Sequence, residues 1–181
     1  MVYVFLANGF EETEAICPID IMLRAGIEVE LISVSDDLTV NGAHGIDIKA
    51  DKRINEISLS RDDLELIMLP GGMPGTNHLM AHEGLKQLLC DYNNKKKYLA
   101  AICAAPSVLG QHGLLKGRHA TCYPGFEEKL LGAEAMPDAV VMDGHIITSR
   151  GMGTAISFGA ALVSVFAGEE TAEELLKAIQ Y

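Results

Sequence analysis

Apolar runs that favour strands alternate along the whole chain with segments that favour helices. The strand-like runs are rich in Val, Ile, Leu and Tyr and occupy residues 2–7, 27–34, 64–69, 98–102 and 119–122. Helical periodicity or small apolar residues predict helices over residues 12–25, 78–93, 104–111, 126–131, 153–167 and 171–179. This alternation predicts a doubly wound α/β protein, with a mostly parallel sheet covered by helices on both faces.

Local signals add turns and a helix cap to this pattern. Asn41-Gly42 and Asp143-Gly144 each predict a tight hairpin turn between two short extended pieces. Thr171 is the predicted N-cap of the last helix, because its hydroxyl could accept a hydrogen bond from the first turn.

A sheet of this kind brings its ligands to one edge, because they bind at the carboxyl ends of the strands. The segments that follow the predicted strands, and that we expect to form the functional site, are residues 8–14, 70–76, 103–106, 123–124 and 149–153. No repeat, linker or low-complexity segment divides the sequence, so we expect one domain over residues 1–181.

Composition and charge exclude several classes of protein. Of the 181 residues, 49% are hydrophobic, which is too many for a disordered chain. The net charge of −11 disfavours binding to nucleic acid or to anionic membranes. No apolar run is long enough to span a bilayer, and the N-terminus lacks the basic start of a signal peptide. We therefore expect a cytoplasmic protein with no nucleic-acid or membrane partner.

The cysteines and histidines form no recognisable metal motif. The cysteines contain no CxxC pair, and we expect free thiols at Cys17, Cys90, Cys103 and Cys122. His78 and His82 have a spacing that can hold a metal on a helix, but no third ligand accompanies them. The glycines of residues 71–75 match neither the GxxxxGK[ST] nor the GxGxxG pattern. The sequence thus predicts neither a metal nor a cofactor.

Cys103 stands at a strand-to-helix junction. A buried strand is predicted to end at Ile102, and the small residues Ala104 and Ala105 allow the tight turn of a nucleophile elbow. At a helix N-terminus, N–H groups and the helix dipole stabilise a thiolate, so we expect a lowered thiol pKa and a nucleophilic cysteine. The alternative is a small cysteine buried in the core.

Acidic and glycine-rich segments follow two other strands. Glu11, Glu12 and Glu14 crowd the start of the first helix, where carboxylates complement the helix dipole. Glu14 lies about 200° round the helix from Glu12, so we expect it to point toward Cys103. A desolvated carboxyl group there could act as a general acid/base. Backbone N–H groups around Gly72 could supply an oxyanion hole.

Several short motifs occur together in this chain. They are ANGFEETE at residues 7–14, PID and RAG within 18–26, LPGG at 69–72, AAICAAP at 100–106 and TSRG at 148–151. Their order and spacing resemble the ThiJ/PfpI superfamily, most closely the branch named for the Parkinsonism-associated deglycase. The resemblance implies a flavodoxin-like (class I glutamine amidotransferase-like) fold, a homodimer, a reactive cysteine and no cofactor.

The resemblance also implies roles for individual residues. Cys103 would be the nucleophile, and Glu14 a protonated partner that donates a hydrogen bond to the sulfur. Gly72 and the N–H of Ala104 would form the oxyanion site. Two positions depart from the pattern, since Ala104 replaces the histidine of the protease-like branch and Tyr123 replaces a histidine of the closer branch. The Tyr123 hydroxyl is then expected to contact the substrate.

Three functions are compatible with these residues. The first is a cysteine-dependent, cofactor-free glyoxalase III or deglycase, which acts on small 2-oxoaldehydes or glycated side chains and protects against oxidative stress. The second is a redox-sensing or chaperone-like stress protein, because the same cysteine could be oxidised to a sulfinic acid. The third, a cysteine peptidase or amidase, needs a histidine beside Cys103. The sequence does not choose among His44, His112, His119 and His145. The thiamine-pathway label that many homologues carry has no support in the sequence.

Overall fold

The structure is a computed structural model that describes residues 1–57 and 63–181. In these residues the strands are β1 (Val2–Leu6), β2 (Val29–Ser33), β3 (Thr39–Val40), β4 (Ile48–Lys49), β5 (Lys52–Arg53), β6 (Leu66–Leu69), β7 (Tyr98–Ile102), β8 (His119–Ala120), β9 (Glu134–Ala135), β10 (Val140–Asp143) and β11 (Ile146–Ser149). The α-helices are α1 (Glu12–Arg24), α2 (Gly75–Ala81), α3 (Glu83–Asn94), α4 (Pro106–Gln111), α5 (Ala155–Ala167) and α6 (Glu169–Ala178). None of the helices in the described residues has the length and apolar character needed to cross a membrane.

Within the described residues, the main sheet has the strand order β10-β11-β7-β6-β1-β2-β5. Neighbouring strands are parallel except β10, which runs antiparallel to β11. Strands β1 and β6 are buried along their whole length, which explains why their sequences are continuous apolar runs rather than alternating ones. The predicted flavodoxin-like, mostly parallel sheet is confirmed.

Side chains of β1 alternate between two apolar clusters, one on each face of the sheet. Tyr3 and Phe5 pack in the cluster that contains the buried residues of α2, α3 and α4. Val2, Val4 and Leu6 pack in the cluster that contains those of α1 and α5. The predicted cover of helices on both faces is therefore confirmed, and the first helix is fixed against the sheet through its apolar side.

The Asn41-Gly42 signal does mark a hairpin, but one with a longer loop than predicted. Strands β3 and β4 pair antiparallel, and the loop between them contains residues 41–47. The N–H of Gly9 donates to the Asn41 carbonyl at 2.8 Å, which attaches this loop to the end of β1. The second predicted hairpin is present, with β10 and β11 antiparallel on either side of Gly144.

Three helix predictions need correction. The helix predicted over residues 126–131 is a short 3₁₀ helix over Glu127–Lys129, and the one predicted over residues 78–93 is divided into α2 and α3, which meet at His82. The Nδ1 atom of His82 accepts a hydrogen bond from the Leu85 N–H at 3.1 Å and so caps α3. Thr171 lies inside α6 rather than at its N-cap, because α6 begins at Glu169. The Thr171 hydroxyl donates to the Ala167 carbonyl at 2.9 Å instead of accepting from the first turn.

The carboxyl ends of four strands meet at one edge of the sheet. Strands β11, β7, β6 and β1 are parallel neighbours in that order, so the segments after them converge. Those segments are residues 150–153, 103–106, 70–76 and 7–14. The N–H of Tyr123 donates to the Cys103 carbonyl at 2.8 Å, which brings a fifth predicted segment to the same place.

Candidate active site

Cys103 occupies the tight turn between β7 and α4 that the sequence predicts. Its backbone φ is 65°, a left-handed conformation that is uncommon for a residue with a side chain. The conformation is held by the main chain on both sides, because the Cys103 N–H donates to the Ser149 carbonyl at 2.9 Å and its carbonyl accepts from Tyr123. Cys103 is half-buried rather than enclosed in the core, which disfavours the alternative of a core cysteine.

The carboxyl group of Glu14 lies beside the side chain of Cys103, and each group shifts the pKa of the other. Glu14 lies on α1 and is only 2% exposed. Its Oε2 accepts a hydrogen bond from the Gly71 N–H at 3.1 Å, and the Met152 N–H donates to the same carboxyl group. A Cβ on residue 71 would lie 2.5 Å from that Oε2 and 2.7 Å from the Cys103 Cβ, so this approach requires glycine. Glu14 has the orientation expected from its helical position.

Two backbone N–H groups face the Cys103 sulfur, those of Gly72 and Ala104. Each belongs to a peptide plane whose carbonyl is bound on the opposite side. The Gly71 carbonyl accepts from the Glu11 N–H at 2.9 Å, and the Cys103 carbonyl accepts from the Tyr123 N–H at 2.8 Å. Because the N–H and C=O of one peptide point in opposite directions, these bonds turn both N–H groups toward the sulfur. Such donors can stabilise an oxyanion.

The pKa of Glu14 is shifted into the neutral range. Burial of the carboxyl group is the main cause, and the negative charge of Glu11 adds to it. Hydrogen bonds from Cys103 and from backbone N–H groups act against burial, and the pKa of Glu14 is raised to about 7. A group with this pKa can both accept and donate a proton at neutral pH.

The expectation of a lowered thiol pKa is wrong. Burial and the negative charge of Glu14 raise the pKa of Cys103 to about 12, and the N–H groups of Ala104 and Gly72 do not outweigh them. Helix α4 has only six residues, so it contributes a small dipole. Between about pH 7 and pH 12 the Glu14–Cys103 pair therefore holds a single proton.

A gap beside the sulfur is left open by Gly151. A Cβ built on this residue would lie 3.4 Å from the Tyr123 ring, 3.6 Å from Glu14 Oε1 and 3.8 Å from Cys103 Sγ. These are ordinary contact distances, so a group of methyl size fits among the three side chains. Tyr123 is 52% exposed and Met152 is 57% exposed, and both offer apolar surface near the gap.

Glu12 forms a buried carboxylate site that the sequence analysis did not identify. Its Oε1 accepts from the His44 N–H at 2.6 Å and from the Ile46 N–H at 3.4 Å, and its Oε2 lies 2.9 Å from His44 Nδ1. Burial alone would raise the pKa of Glu12, but these hydrogen bonds lower it to about 2. Glu12 thus binds the loop of residues 41–47 to α1, in addition to complementing the helix dipole. No sequence spacing signals this contact, because the partners are 32 residues apart.

The carboxylates of Glu11 and Glu12 and the ring of His44 lie close enough together to hold a metal ion, with ligand atoms within 4.8 Å of one another. The His44 ring already contacts both carboxylates, at 3.5 and 2.9 Å. These contacts account for the cluster as an ion pair between the loop and the helix. His78 and His82 do not form a pair, because the His78 ring contacts the Asn8 carbonyl and His82 caps α3.

The histidines that a cysteine peptidase would need lie away from the Cys103 sulfur. In the described part of the chain, no histidine is hydrogen-bonded to the Cys103 sulfur. His44 contacts Glu12, His119 the carboxylates of Glu134 and Asp143, and His145 the side chain of Asn93. Among the described residues, His112 has no hydrogen-bond partner at its buried Nε2, and it lines a separate pocket with Met80 and Glu83. Without an imidazole beside the thiol, the arrangement does not support a Cys–His peptidase.

Comparisons with known proteins agree with the fold and the motifs. The DJ-1/PfpI family profile matches residues 1–165. Protein DJ-1 homologs B and A of Arabidopsis thaliana are 41% and 40% identical to this chain, which spans 40% and 45% of their length. The chain thus covers less than half of these two relatives, although 96% of the chain is matched in each case.

Two further similarities extend over most of both proteins. A Caenorhabditis elegans protein named glutathione-independent glyoxalase DJR-1.2 is 32% identical over 92% of this chain and 88% of that protein. The solved structure of oxidized Toxoplasma gondii DJ-1 matches with a TM-score of 0.93 and 35% identity, and covers 99% of this chain and 97% of that one. Sequence and backbone therefore agree over nearly the whole chain.

Proposed function

Because the chain belongs to the DJ-1/PfpI family, we propose that it is a cysteine-dependent glyoxalase that converts 2-oxoaldehydes into 2-hydroxy acids without a cofactor. The observation that carries the proposal is the contact between Cys103 and Glu14 beside two backbone N–H groups. A nucleophile, a base with a pKa of about 7 and donors for an oxyanion are the groups that carbonyl addition requires. Similarity to a protein named as a glyoxalase supports the same activity.

The first step is addition of the Cys103 sulfur to the aldehyde carbon. Glu14, as a carboxylate, accepts the thiol proton while the S–C bond forms, so the raised thiol pKa does not prevent attack. The N–H groups of Gly72 and Ala104 stabilise the negative charge that develops on the aldehyde oxygen. Glu14 then passes its proton to that oxygen, which leaves a neutral hemithioacetal on Cys103.

The second step moves hydrogen between the two neighbouring carbons of the substrate. Glu14, again a carboxylate, removes the proton from the former aldehyde carbon, and an enediolate forms with its negative charge on the former ketone oxygen. Glu14 returns this proton to the adjacent carbon while the hydroxyl proton of the hemithioacetal moves to the former ketone oxygen, which leaves a thioester of the 2-hydroxy acid on Cys103. Water breaks the C–S bond, releases the acid and restores the thiol. An early hemiaminal adduct of a 2-oxoaldehyde with a protein amine releases the amine when its C–N bond breaks and its hydroxyl proton moves to the nitrogen. The free aldehyde then enters by the same addition, so deglycation belongs to the same proposal.

Lactate production from methylglyoxal in the absence of glutathione tests the proposal. Wild type and Cys90→Ser, a matched control for removal of one thiol, should form lactate at the same rate. Cys103→Ser should be slower by about a hundredfold or more, because the step that forms the covalent intermediate is lost. Equal rates for wild type and Cys103→Ser would contradict the proposal.

We propose a redox-sensing role as the second function of the same thiol. Its support is the half-buried position of Cys103 next to a carboxyl group that can donate a hydrogen bond to an oxidised sulfur. Mild peroxide should add about 32 Da, the mass of two oxygen atoms, to Cys103 alone. Intact mass and peptide mapping measure this gain. Oxidation spread evenly over Cys17, Cys90 and Cys103 would argue against a sensing role.

We also propose that two copies of the chain associate through the exposed face of α1. Ile16 is 42% exposed and Leu23 is 53% exposed, and residues seven apart lie on the same side of a helix. Ile46 and Met152 are also exposed and lie beside the start of α1. The backbone N–H of Ile46 is bonded to Glu12, and that of Met152 to Glu14. The apolar face therefore continues to the edge of the candidate site.

Light scattering tests the association. Wild type should have about twice the mass of the 19.4 kDa chain. Leu23→Glu should reduce the mass to that of one chain, because it places a charge in the apolar face. Leu131 is 50% exposed elsewhere on the surface, so Leu131→Glu is the matched control and should keep the wild-type mass. A monomeric wild type would overturn the proposal.

A further inference from the structure

Two buried hydroxyl groups bind the residues that supply the N–H donors of the candidate site. The Thr76 Oγ1 donates to the Gly72 carbonyl at 2.8 Å, and the Ser107 Oγ donates to the Ala104 carbonyl at 2.6 Å. Thr76 is 1% exposed and Ser107 is 2% exposed, so neither hydroxyl is a surface group. Each therefore reaches back to a residue whose own N–H faces the Cys103 sulfur.

Each carbonyl accepts two hydrogen bonds from a single residue. The Gly72 carbonyl also accepts from the Thr76 N–H at 2.9 Å, and the Ala104 carbonyl also accepts from the Ser107 N–H at 3.1 Å. No other side chain of residues 1–57 and 63–181 is seen to donate to either carbonyl. The two loops thus share one local arrangement, in which the hydroxyl and the backbone N–H of the same residue both donate to one carbonyl oxygen.

The double hydrogen bond is found at or next to residues with a positive φ, where the backbone conformation is unusual. Gly72 has no side chain and a φ of 89°, in a region that glycine enters freely. Ala104 follows Cys103, whose φ of 65° places it in the left-handed region. Bonds on the far side of Gly72 and Ala104 limit rotation about their backbone, and so limit the directions that their N–H groups can take. A donor must be placed within a fraction of an ångström to stabilise a developing charge.

We propose that Thr76 and Ser107 are positioning residues that hold the N–H groups of Gly72 and Ala104 toward the reacting atoms at Cys103. The inference rests on the proposed function for its catalytic consequence, but the placement of the donors relative to the sulfur is independent of the substrate. Neither hydroxyl touches the sulfur, and both act through the backbone.

The surroundings of both hydroxyls favour variants that remain folded. Thr76 and Ser107 line one pocket of about 310 Å³, together with Asn77, Gln111 and Phe126. When a hydroxyl is removed, water from this pocket can bond to the carbonyl that has lost its donor. We therefore expect the loss of orientation to exceed the loss of stability.

The test compares each hydroxyl with a matched one far from the site. Ser164 Oγ donates to the Ala161 carbonyl at 2.8 Å, three residues back as for Ser107. Thr171 Oγ1 donates to the Ala167 carbonyl, four residues back as for Thr76. Ser164→Ala and Thr171→Val are thus controls for Ser107→Ala and Thr76→Val. Thr76→Ser keeps the hydroxyl and should restore the wild-type behaviour.

Two readouts are measured on folded protein. The first is kcat and KM for methylglyoxal, where Thr76→Val and Ser107→Ala should each lower kcat about tenfold and change KM little. The second is the rate of alkylation of Cys103 by iodoacetamide at about pH 8, which does not depend on turnover. Looser N–H donors stabilise the thiolate less, so this rate should fall about threefold or more. The two control variants should change neither quantity.

The outcomes separate this inference from the proposed function. If wild type forms no lactate but the alkylation rate falls in both variants, the glyoxalase proposal fails and the positioning role stands. If wild type forms lactate and neither kcat nor the alkylation rate changes in Thr76→Val and Ser107→Ala, the positioning role is overturned. Should Thr76→Val or Ser107→Ala unfold, Thr76→Ala and Ser107→Gly remove the same hydroxyls without added bulk and are scored by the same criteria.

Discussion

The carboxyl group of Glu14 lies beside the thiol of Cys103, and burial together with the charge of Glu14 raises the pKa of Cys103. The two groups cannot both be ionised near neutral pH, so they share one proton above about pH 7. The reactive form in the proposed mechanism is this singly protonated pair. Its population depends on the ionisation of Glu14 rather than on that of the thiol.

The pH dependence of turnover should therefore follow Glu14. We expect kcat/KM for methylglyoxal to rise about tenfold per pH unit below about pH 7 and to become constant above it. Glu11→Gln removes a charge that raises the pKa of Glu14, so it should move the midpoint to lower pH. Steady-state kinetics over a pH series check both outcomes. A rise that begins only above about pH 8 would indicate ionisation of the thiol instead.

Replacement of Glu14 should change how stability depends on pH. The pKa of Glu14 is raised from 4.5 to about 7, so the folded state binds this proton more tightly than the unfolded state. The resulting stability is fully present below about pH 4.5 and is lost as the pH rises through about 7. The difference in free energy of unfolding between wild type and Glu14→Gln should shift by roughly 3 kcal/mol over that range, in the direction of a less stable wild type at high pH.

Urea denaturation at about pH 4 and pH 8 measures this difference. Glu170→Gln, at an exposed position in the first turn of α6, is the control and should show no comparable shift between the two pH values. If the difference in free energy of unfolding between wild type and Glu14→Gln is the same at both pH values, the Glu14 carboxyl group has the same pKa in the folded and unfolded states.

Glu12 should stabilise the fold with the opposite dependence on pH. Its pKa is lowered from 4.5 to about 2, so its contribution is present above about pH 4.5 and is lost as the pH falls through about 2. Glu12→Gln should lower the free energy of unfolding by about 2 kcal/mol at neutral pH, because hydrogen bonds to a buried charge are weakened. His44→Gln, which affects only the exposed ring contact, should cost less. Denaturation curves that coincide for wild type and Glu12→Gln at neutral pH would contradict this role.

Gly151 should determine which molecules reach the sulfur. The methyl group of Gly151→Ala would occupy the gap between Tyr123, Glu14 and Cys103, so kcat/KM for methylglyoxal should fall about tenfold. Oxidation of Cys103 by the smaller hydrogen peroxide should change much less. Gly151 has a φ of 159°, which disfavours a side chain. Gly168 also has a positive φ, 87°, and no atom lies within 4 Å of a Cβ built on it, which makes Gly168→Ala the matched control. Equal kinetics for the two alanine variants would show that substrate does not occupy this gap.

The parts of the fold that could be predicted are those with a local physical cause. The run Tyr98–Ile102 is apolar because β7 is buried, and the small residues after it permit the turn at Cys103. The direction of Glu14 follows from the period of an α-helix. In each case the relevant information lies within a few consecutive residues.

The parts that could not be predicted depend on contacts distant in sequence. Glu12 is held by a loop that starts 29 residues after it, and no periodicity in that loop indicates the contact. The lowered pKa expected for Cys103 came from the helix terminus alone, whereas burial and the charge of Glu14 determine its direction. Thr171 is of a residue type that is common at N-caps, but α6 begins earlier, at Glu169.

The donors that face Cys103 belong to the main chain at Gly72 and Ala104 rather than to side chains. Mutation of the exposed Tyr123 or Met152 therefore alters the wall of the gap while the donors remain. If the proposed addition is the activity, exchange of such side chains during evolution changes which carbonyl compounds are preferred and leaves the backbone donors unchanged.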